Sequence, residues 1–184
     1  VYAAAEQLDA PWRIAFRLLM LTGCRENEIC GARWRWIDLE SASLTIPAQH
    51  YKTNRAHFVP LTAAAVSELK ALPRPDEGDY ALSTTNGEKP IAGIHRKIVD
   101  QIHKLAEEAL GRDIERFRLH DLRRTMRTHL PRLGVSEVVG ELLLGHTLKG
   151  VQGTYNVYDF ADERRLSLER WAEELIAENL GSRT

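Results

Sequence analysis

One short region of the sequence has the residue pattern of β-strands, and it limits the folds that the chain can adopt. The segments "SLTIP" at residues 43–47 and "HFVPL" at residues 57–61 combine β-branched, aromatic and other apolar residues. A polar stretch over residues 51–56 separates them, as the turn of a hairpin does. The sequence therefore predicts a single small antiparallel sheet and leaves the rest of the chain to helices.

The remaining segments have the signals of helices. Pro11 opens an apolar-periodic segment that Gly23 ends, and Thr62 is a candidate N-cap for another. The fold class predicted is mainly α with a small antiparallel β-sheet, an α+β arrangement. Helices are predicted over about residues 11–22, 26–32, 63–72, 91–110, 119–130, 136–145 and 162–180.

The bulk properties of the chain suit one domain, or one domain with a small appendage. Its 184 residues, 43% of them hydrophobic, are enough for a real core. No apolar run approaches the roughly 20 residues that span a bilayer, and no signal-peptide pattern is present. Cys24 and Cys30 match no zinc or redox spacing, which favours a reduced, cytosolic compartment. The first residue is Val1 rather than methionine, so we expect a fragment of a longer protein.

Charge is unevenly distributed along the chain. The formal net charge of −1 argues weakly against a nucleic-acid partner, because proteins that bind phosphates usually carry a basic excess. Residues 112–132, however, hold seven arginines against three acids, whereas residues 159–178 hold seven acids against three arginines. The chain thus has a basic centre and an acidic tail. The alternative is that these are simply two solvated helix faces of opposite sign.

The basic centre contains a helix with two stripes. In "FRLHDLRRTMRTHL", residues 117–130, His120 and Arg123 are three residues apart and therefore point to one place. An arginine fork suits two phosphate oxygens, and a histidine can pass protons near neutral pH. The alternative is an ordinary amphipathic helix with a solvated basic face. The predicted core stripe is Leu119, Leu122, Met126 and Leu130, and the neighbouring stripe is His120, Arg123, Arg124 and Arg127.

Two other segments offer cationic side chains. In "LTGCRENEIC", residues 21–30, Arg25 follows a glycine helix stop, and Glu28 lies one turn later, where it can brace the arginine. The alternative is a surface ion pair of little energetic value. In "HYKTNRAHFVPL", residues 50–61, Lys52 lies at the hairpin tip, where it is either a solvated side chain or a mobile proton donor.

The segment "LLLGHTLKGVQGTYNVYDF", residues 142–160, contains two candidate nucleophiles. Tyr155 and Tyr158 follow His146 after a Gly-His turn. A phenol has a pKa near 10, so it attacks at neutral pH only where cations stabilise the phenolate. No carboxylate cluster suggests Mg²⁺ and no histidine spacing suggests Zn²⁺. Cationic side chains would therefore carry the charge in a phosphoryl transfer of this kind.

Taken together and in this order, "LTGCRENEI", "YKTNRAHFVPL", "HDLRRTMRTHL" and "LLGHTLKGVQGTYNVYDF" resemble the catalytic domain of tyrosine recombinases, the phage-integrase family. The resemblance covers nearly the whole chain, and its ending looks most like integrases of prophages and genomic islands. It implies the DNA breaking-rejoining enzyme fold. It also implies the chemistry of type IB topoisomerases, which needs neither a metal nor another cofactor.

The resemblance implies a role for each matching residue. Arg25, His120 and Arg123 would bind and activate the scissile phosphate. His120 would also assist proton transfer from the nucleophile, and Lys52 would be the general acid toward the 5′-oxygen. The other matching residues are Glu28, in a supporting position behind the arginine; His146, hydrogen-bonded to a phosphate oxygen; and Tyr155, nine residues after that histidine, as the nucleophile.

Other positions would have lesser parts. Tyr158 would pack or contact the DNA backbone. Arg55, Arg124 and Arg127 are candidates for DNA binding.

The resemblance also implies an organisation and partners. Residues 1–184 would form one catalytic domain with a helical tail at about 162–180 that packs in cis or exchanges in trans. We expect the core-binding and arm-binding domains that precede it in the family to be absent from this chain. The expected partners are double-stranded DNA attachment sites, further copies in a tetramer on synapsed DNA, and an accessory DNA-bending or excisionase protein. We expect no membrane partner, and the expected location is the bacterial cytoplasm at the nucleoid.

Three other functions stay open at this point. The chain could relax supercoils as a type IB topoisomerase does, occupy DNA sites as a catalytically inactive relative, or act as a non-catalytic helical interaction module. All six predicted catalytic positions hold competent residues, which speaks against an inactive relative.

Overall fold

A computed structural model of the chain describes residues 1–146 and 159–181, with side chains up to residue 177 in the last helix. The described residues are mostly helical, and they include one small sheet. The helices are α1 Trp12–Thr22, α2 Glu26–Cys30, α3 Ala63–Lys70, α4 Arg96–Leu110, α5 Leu119–His129, α6 Glu137–Leu143 and α7 Ala161–Gly181. The strands are β1 Ile37–Asp38, β2 Ser43–Ile46 and β3 His57–Pro60.

The sheet is antiparallel throughout, with β2 in the centre. Leu44 of β2 lies opposite Ile37 of β1 and Val59 of β3, and Ile46 lies opposite His57. The predicted hairpin and the mainly α class with a small antiparallel sheet are confirmed. Strand β1 was not predicted, because two residues are too few for an alternation of polar and apolar side chains to be recognised.

Helix α1 is the centre of the core. Ile14, Phe16 and Leu21 are fully buried, and the helix contacts α2, α3, α5 and α7. Gly23 ends the helix with φ 64°, a left-handed conformation that glycine adopts without steric cost. Its N–H binds the carbonyl of Leu19, which closes the last turn. The predicted end of this helix is confirmed, and Arg25 follows two residues after Gly23.

Helix α4 begins at Arg96, so the predicted start near residue 91 is wrong. The residues before it are not helical, because their backbone groups bind other parts of the chain. The N–H of Ile91 binds the carbonyl of Leu82 at 2.9 Å, and the N–H of Ile94 binds Glu26 Oε1 at 2.6 Å. Gly93 has φ 104°, which is incompatible with a helix. Tertiary hydrogen bonds override helical periodicity here.

Helix α5 has the two predicted stripes. Met126 is fully buried at its centre, and Leu130, just after its end, is buried as well. Leu119 and Leu122 are partly buried and pack against the same core. The core face of the predicted amphipathic helix is therefore confirmed. In the neighbouring stripe, Arg123 faces the turns that end α1 and α6, whereas His120 and Arg124 are exposed.

Helix α7 packs on its own chain. Leu168, Trp171 and Leu175 are buried, and Trp171 Nε1 donates to the carbonyl of Met20 at 2.7 Å. Arg165 donates to the carbonyls of Ser41 and Ala42 at 3.0 and 3.2 Å, and Arg170 donates to that of Leu133 at 3.1 Å. Within this single chain the tail packs in cis, and its exchange in trans between protomers stays a prediction. Among the described helices, none has the length and apolar character needed to cross a bilayer.

Replacing Trp171 with alanine should destabilise the protein by about 3–5 kcal/mol, because a buried indole and its hydrogen bond are both lost. The matched control is Leu166→Ala in the same helix, whose side chain is 48% exposed and whose loss should change stability by less than about 0.5 kcal/mol. Urea unfolding followed by circular dichroism measures both. Equal losses in the two variants would contradict the docking described for α7.

Candidate active site

Arg25 is held by Glu28 at the start of α2. The Glu28 carboxylate accepts a hydrogen bond from the Arg25 backbone N–H and another from Arg25 Nη1, each at 2.7 Å. The Glu28 side chain is buried, so the alternative of a solvated surface pair is wrong. Burial lowers the pKa of Arg25, but its hydrogen bonds to Glu28 and Tyr51 outweigh this and leave the pKa raised. The guanidinium is therefore a fixed and permanently charged group.

Arg123 lies in the interior although it belongs to the basic stripe of α5. Its side chain donates to the carbonyl of Gly23 at 2.6 Å and to the carbonyl of Leu144, and it is only 5% exposed. The alternative of a solvated basic face is therefore wrong for this residue, although Arg124 beside it is exposed. Burial lowers the pKa of Arg123, and the nearby charge of Arg25 lowers it further. An arginine still stays protonated at neutral pH.

His146 is oriented by partners on both ring nitrogens. Nδ1 lies 2.6 Å from Glu141 Oε2, and Nε2 lies 3.2 Å from Arg123 Nη2. Since the carboxylate only accepts, the Nδ1–H donates to Glu141, and Nε2 faces the guanidinium. Glu141 also accepts from Arg127 Nε at 3.0 Å. Burial raises the pKa of Glu141, but the hydrogen bonds from His146 and Arg127 lower it more.

A cavity of about 250 Å³ brings three of the predicted catalytic residues together. Arg25, His120 and Arg123 line it. Arg25 directly precedes α2 and the other two belong to α5, almost 100 residues later in the chain. The space accommodates an anion of phosphate size next to two guanidiniums. The other lining residues are Leu19, Cys24, Glu26, Asn27 and Leu119.

The remaining predicted residues have different positions. Lys52 and Arg55 are exposed in the turn between β2 and β3, and they make no hydrogen bond or ion pair with the described residues. Lys52 does not line the 250 Å³ cavity. Tyr155 and Tyr158 lie outside the described residues, so their roles stay predictions. Arg127, a candidate for DNA binding, is engaged by Glu141.

Tyr51 and His57, which the sequence analysis did not single out, lie next to Arg25 or to each other at the site. The Tyr51 hydroxyl accepts from Arg25 Nη1 at 2.7 Å and donates to the carbonyl of Gly145 at 3.0 Å. Its ring packs on His57 with centroids 4.8 Å apart. An aromatic residue at the start of a polar turn was the available signal for Tyr51. A Cβ on Gly145 would collide with the Tyr51 hydroxyl, so only glycine fits there.

His57 is a buried neutral histidine among cations. Burial, and after it the charges of Arg164, Arg123 and Arg25 in that order, lower its pKa to about 3. Arg164, from the first turns of α7, is itself buried, and burial lowers its pKa. Nε2 of His57 is buried and has no hydrogen-bond partner among the described residues. The electrostatic potential at this point therefore opposes any additional positive charge.

The same potential bears on whether a metal ion fits. Ligand atoms of Cys24, Glu28 and His57 lie within 4.8 Å of one another. Burial raises the pKa of the Cys24 thiol to about 12, and Glu28 already binds Arg25. Guanidiniums that keep a proton off His57 also oppose a divalent cation. The donor set of this cluster therefore does not fit a metal ion.

Comparisons of the sequence with known proteins agree on one family. The sequence model described as "Phage integrase family" matches residues 1–161. The chain is 30% identical to the prophage integrase IntZ of Escherichia coli K12 over 161 residues, which are 86% of this chain and 38% of IntZ. It is 32% identical to the prophage integrase IntA of the same organism over 171 residues, 92% of this chain and 40% of IntA. The chain thus spans about two fifths of the length of these relatives.

Comparison with solved structures supports the fold. The chain resembles the integrase of transposon Tn1549, solved in complex with a circular intermediate DNA. The TM-score is 0.64 at 17% identity, over 91% of this chain and 62% of the other. The XerH site-specific recombinase bound to its difH substrate gives a TM-score of 0.59 at 21% identity, over 96% and 50%. At such identities the likeness shows a shared fold, that of tyrosine recombinase catalytic domains.

Because His57 is buried in its neutral form, the free energy of unfolding should depend on pH. Between pH 6.5 and about 3 the unfolded state binds a proton at this residue and the folded state does not, so stability falls as the pH drops. From pH 7 to pH 5 this loss should be about 2 kcal/mol. Chemical denaturation across this range should show a smaller loss in His57→Phe than in the wild type. The exposed His95→Phe serves as control, and an unchanged slope in His57→Phe would contradict the buried neutral state.

Proposed function

Because the chain belongs to the phage integrase family, we propose that it is the catalytic domain of a site-specific tyrosine recombinase. Its substrate is double-stranded DNA, which it cuts and rejoins through a 3′-phosphotyrosyl intermediate without a metal or other cofactor. The observation that carries this proposal is the cavity shared by Arg25, His120 and Arg123. It supplies positive charge and a proton-transfer group where a phosphodiester would bind.

The electrostatics of this cavity favour an anion. The two guanidiniums repel each other, and this repulsion contributes to the lowered pKa of Arg123. A bound phosphodiester relieves the repulsion, and the extra negative charge of the pentacoordinate transition state relieves it further. Fixed cations therefore stabilise the transition state more than the ground state, which is the requirement for catalysis.

The proposed reaction has two symmetrical halves. The Tyr155 oxygen attacks phosphorus and loses its proton to His120, while the bond to the 5′-oxygen breaks and Lys52 gives that oxygen a proton. In the second half a 5′-hydroxyl of the partner duplex attacks the phosphotyrosyl bond, and Tyr155 leaves. One phosphoester bond forms as each breaks, so neither ATP nor a metal is required. Lys52, on an exposed turn, would reach the leaving oxygen when DNA is bound.

Two supporting residues fix the orientation of this apparatus. Glu28 holds Arg25 by both backbone and side chain. Glu141 holds His146 so that Nε2 points toward Arg123, where the phosphate is proposed to bind. A proton on Nε2 would then let His146 donate to a phosphate oxygen. The exposed Arg124 and Arg55 are proposed to contact the flanking DNA backbone. Exposed arginines can bind phosphate oxygens there without contacting the bases.

The wider activity rests on the relatives. We propose integration or excision of a mobile element at DNA attachment sites, by a tetramer on synapsed DNA at the bacterial nucleoid. Exchange of α7 between protomers, preceding DNA-binding domains and an accessory DNA-bending or excisionase protein belong to the same proposal. The matching relatives are more than twice the length of the matched segment, and two of the similar structures were solved with DNA. No observation favours the topoisomerase-like or the inactive alternative.

The nucleophile can be identified by trapping the covalent intermediate. On a nicked duplex that loses its 5′-hydroxyl fragment after cleavage, the wild type should accumulate a protein–DNA adduct visible on a denaturing gel. Tyr155→Phe should abolish the adduct, whereas Tyr158→Phe should leave it within about threefold, because the family resemblance assigns the nucleophile to Tyr155. Loss of the adduct in Tyr158→Phe alone would reverse the assignment. Absence of an adduct with the wild-type protein would contradict the proposed function.

The role of Lys52 can be tested by changing the leaving group. Lys52→Ala should slow cleavage of ordinary DNA by about 10²–10⁴-fold, the usual contribution of a general acid. A 5′-bridging sulfur in place of the oxygen leaves as a thiolate, which has a lower pKa than an alkoxide and needs no proton. The defect should therefore shrink to less than about tenfold on this substrate. Arg123→Gln, the control, should stay impaired on both substrates, and a Lys52→Ala defect equal on both would exclude the proton-donor role.

A further inference from the structure

Tyr51 links two parts of the candidate site, and it is not among the predicted catalytic residues. Its hydroxyl lies between Arg25 Nη1 at 2.7 Å and the carbonyl of Gly145 at 3.0 Å. These partners are 26 and 94 residues away in sequence. The residue is buried, and burial raises the pKa of its phenol, so the hydroxyl stays protonated and can accept and donate at once.

The two turns that carry the cationic groups are joined at only a few points. One turn follows α1 and comprises residues 23–25, and the other follows α6 and comprises residues 144–146. Arg123 joins them by donating to the carbonyls of Gly23 and Leu144. Tyr51 joins them a second time, through Arg25 on one side and Gly145 on the other. Two braces from different elements thus fix the spacing of the Arg25 and His146 side chains.

We propose that Tyr51 is a positioning residue, which sets the guanidinium of Arg25 against the Gly145–His146 turn for binding of the scissile phosphate. The inference rests on the proposed function of the site. Tyr51 is not assigned contact with the phosphate itself, because it does not line the 250 Å³ cavity. It acts through Arg25, whose Nη1 it shares with Glu28, leaving the rest of the guanidinium for the anion.

The surroundings of Tyr51 are shaped for its hydroxyl. Gly145 has φ 61°, and any side chain there would occupy the position of the Tyr51 oxygen. The ring is held separately by its packing on His57 and by the cation–π contact with Arg25, 5.5 Å from the ring centroid. Removing the hydroxyl alone therefore leaves the ring in place. It leaves an Arg25 N–H and the Gly145 carbonyl without this partner, which frees the guanidinium to rotate.

Tyr51→Phe is the direct test, and the chain contains a matched control. Arg33 Nη2 donates to the hydroxyl of Tyr80 at 2.7 Å, and the Arg33 guanidinium lies 4.3 Å from that ring centroid, away from the cavity. Tyr80→Phe therefore removes an arginine–phenol hydrogen bond of the same length outside the site. Tyr80→Phe loses one hydrogen bond and should melt within about 4 °C of the wild type. Tyr51→Phe loses two and should melt within about 8 °C of it.

The measured quantities are the single-turnover rate of adduct formation at saturating nicked duplex and the Kd for that duplex. Tyr51→Phe should lower the rate by about 10–100-fold, the usual effect of losing a hydrogen bond to a charged group, with Kd changed by less than about threefold. Tyr80→Phe should change neither. A split of this kind between rate and affinity is expected of a displaced catalytic guanidinium, and a purely structural residue would not produce it.

Each other outcome contradicts the inference. A Tyr51→Phe protein with the wild-type rate would show that Arg25 needs no such brace. An equal loss of rate in Tyr80→Phe, a loss confined to Kd, or failure of Tyr51→Phe to fold would make the hydroxyl structural. If the wild type itself forms no adduct, the proposed function fails and the inference with it. A wild type that reacts beside an equally active Tyr51→Phe refutes the inference alone.

Discussion

Two like charges placed on one small cavity are the constraint on which the rest of the structure depends. Arg25 and Arg123 repel each other, and Arg123 is almost fully withdrawn from water. Such an arrangement persists only if oxygen atoms replace the lost hydration. Glu28, the Tyr51 hydroxyl and the carbonyls of Gly23 and Leu144 supply them. The turns after α1 and α6 thus supply carbonyl oxygens that replace water around the buried guanidinium of Arg123.

The residues around the cavity are adapted to the same positive charge. A neutral His57 packs on Tyr51 although arginines lie on several sides of it, because burial and these charges exclude its proton. Arg164 comes from α7, which follows the segment of the candidate nucleophile in sequence, and it contributes to the same potential. The protein thereby maintains a strongly positive and partly dry site before any substrate is present. Preorganised charge of this kind needs little rearrangement during reaction, which is its value in catalysis.

Sequence reasoning predicted what local patterns encode. The ends of α1 and α5, the cap at Thr62 and the hairpin followed from glycine, proline, Thr capping and periodicity, and the Thr62 side chain does accept from the Ala65 N–H. The pairing of Arg25 with Glu28 was also predicted. The start of α4 was wrong because hydrogen bonds to Leu82 and Glu26 decide it.

What sequence reasoning missed within the site has a common cause. Tyr51 and His57 were read as parts of a hairpin, since nothing near them in sequence announces a partner 26 or 94 residues away. The burial of Arg123 was likewise hidden, because its stripe on α5 is equally compatible with solvent. The carbonyls that receive its donors belong to turns whose approach only the fold determines.

The docking of α7 has a consequence for how such a domain can diverge. Arg165, Arg170 and Trp171 all donate to main-chain carbonyls rather than to side chains of the surface that receives them. Every amino acid carries that oxygen, so these four hydrogen bonds do not depend on the side chains of the receiving positions. As far as these bonds are concerned, variation in the interface should be restricted at the donors and not at the acceptors.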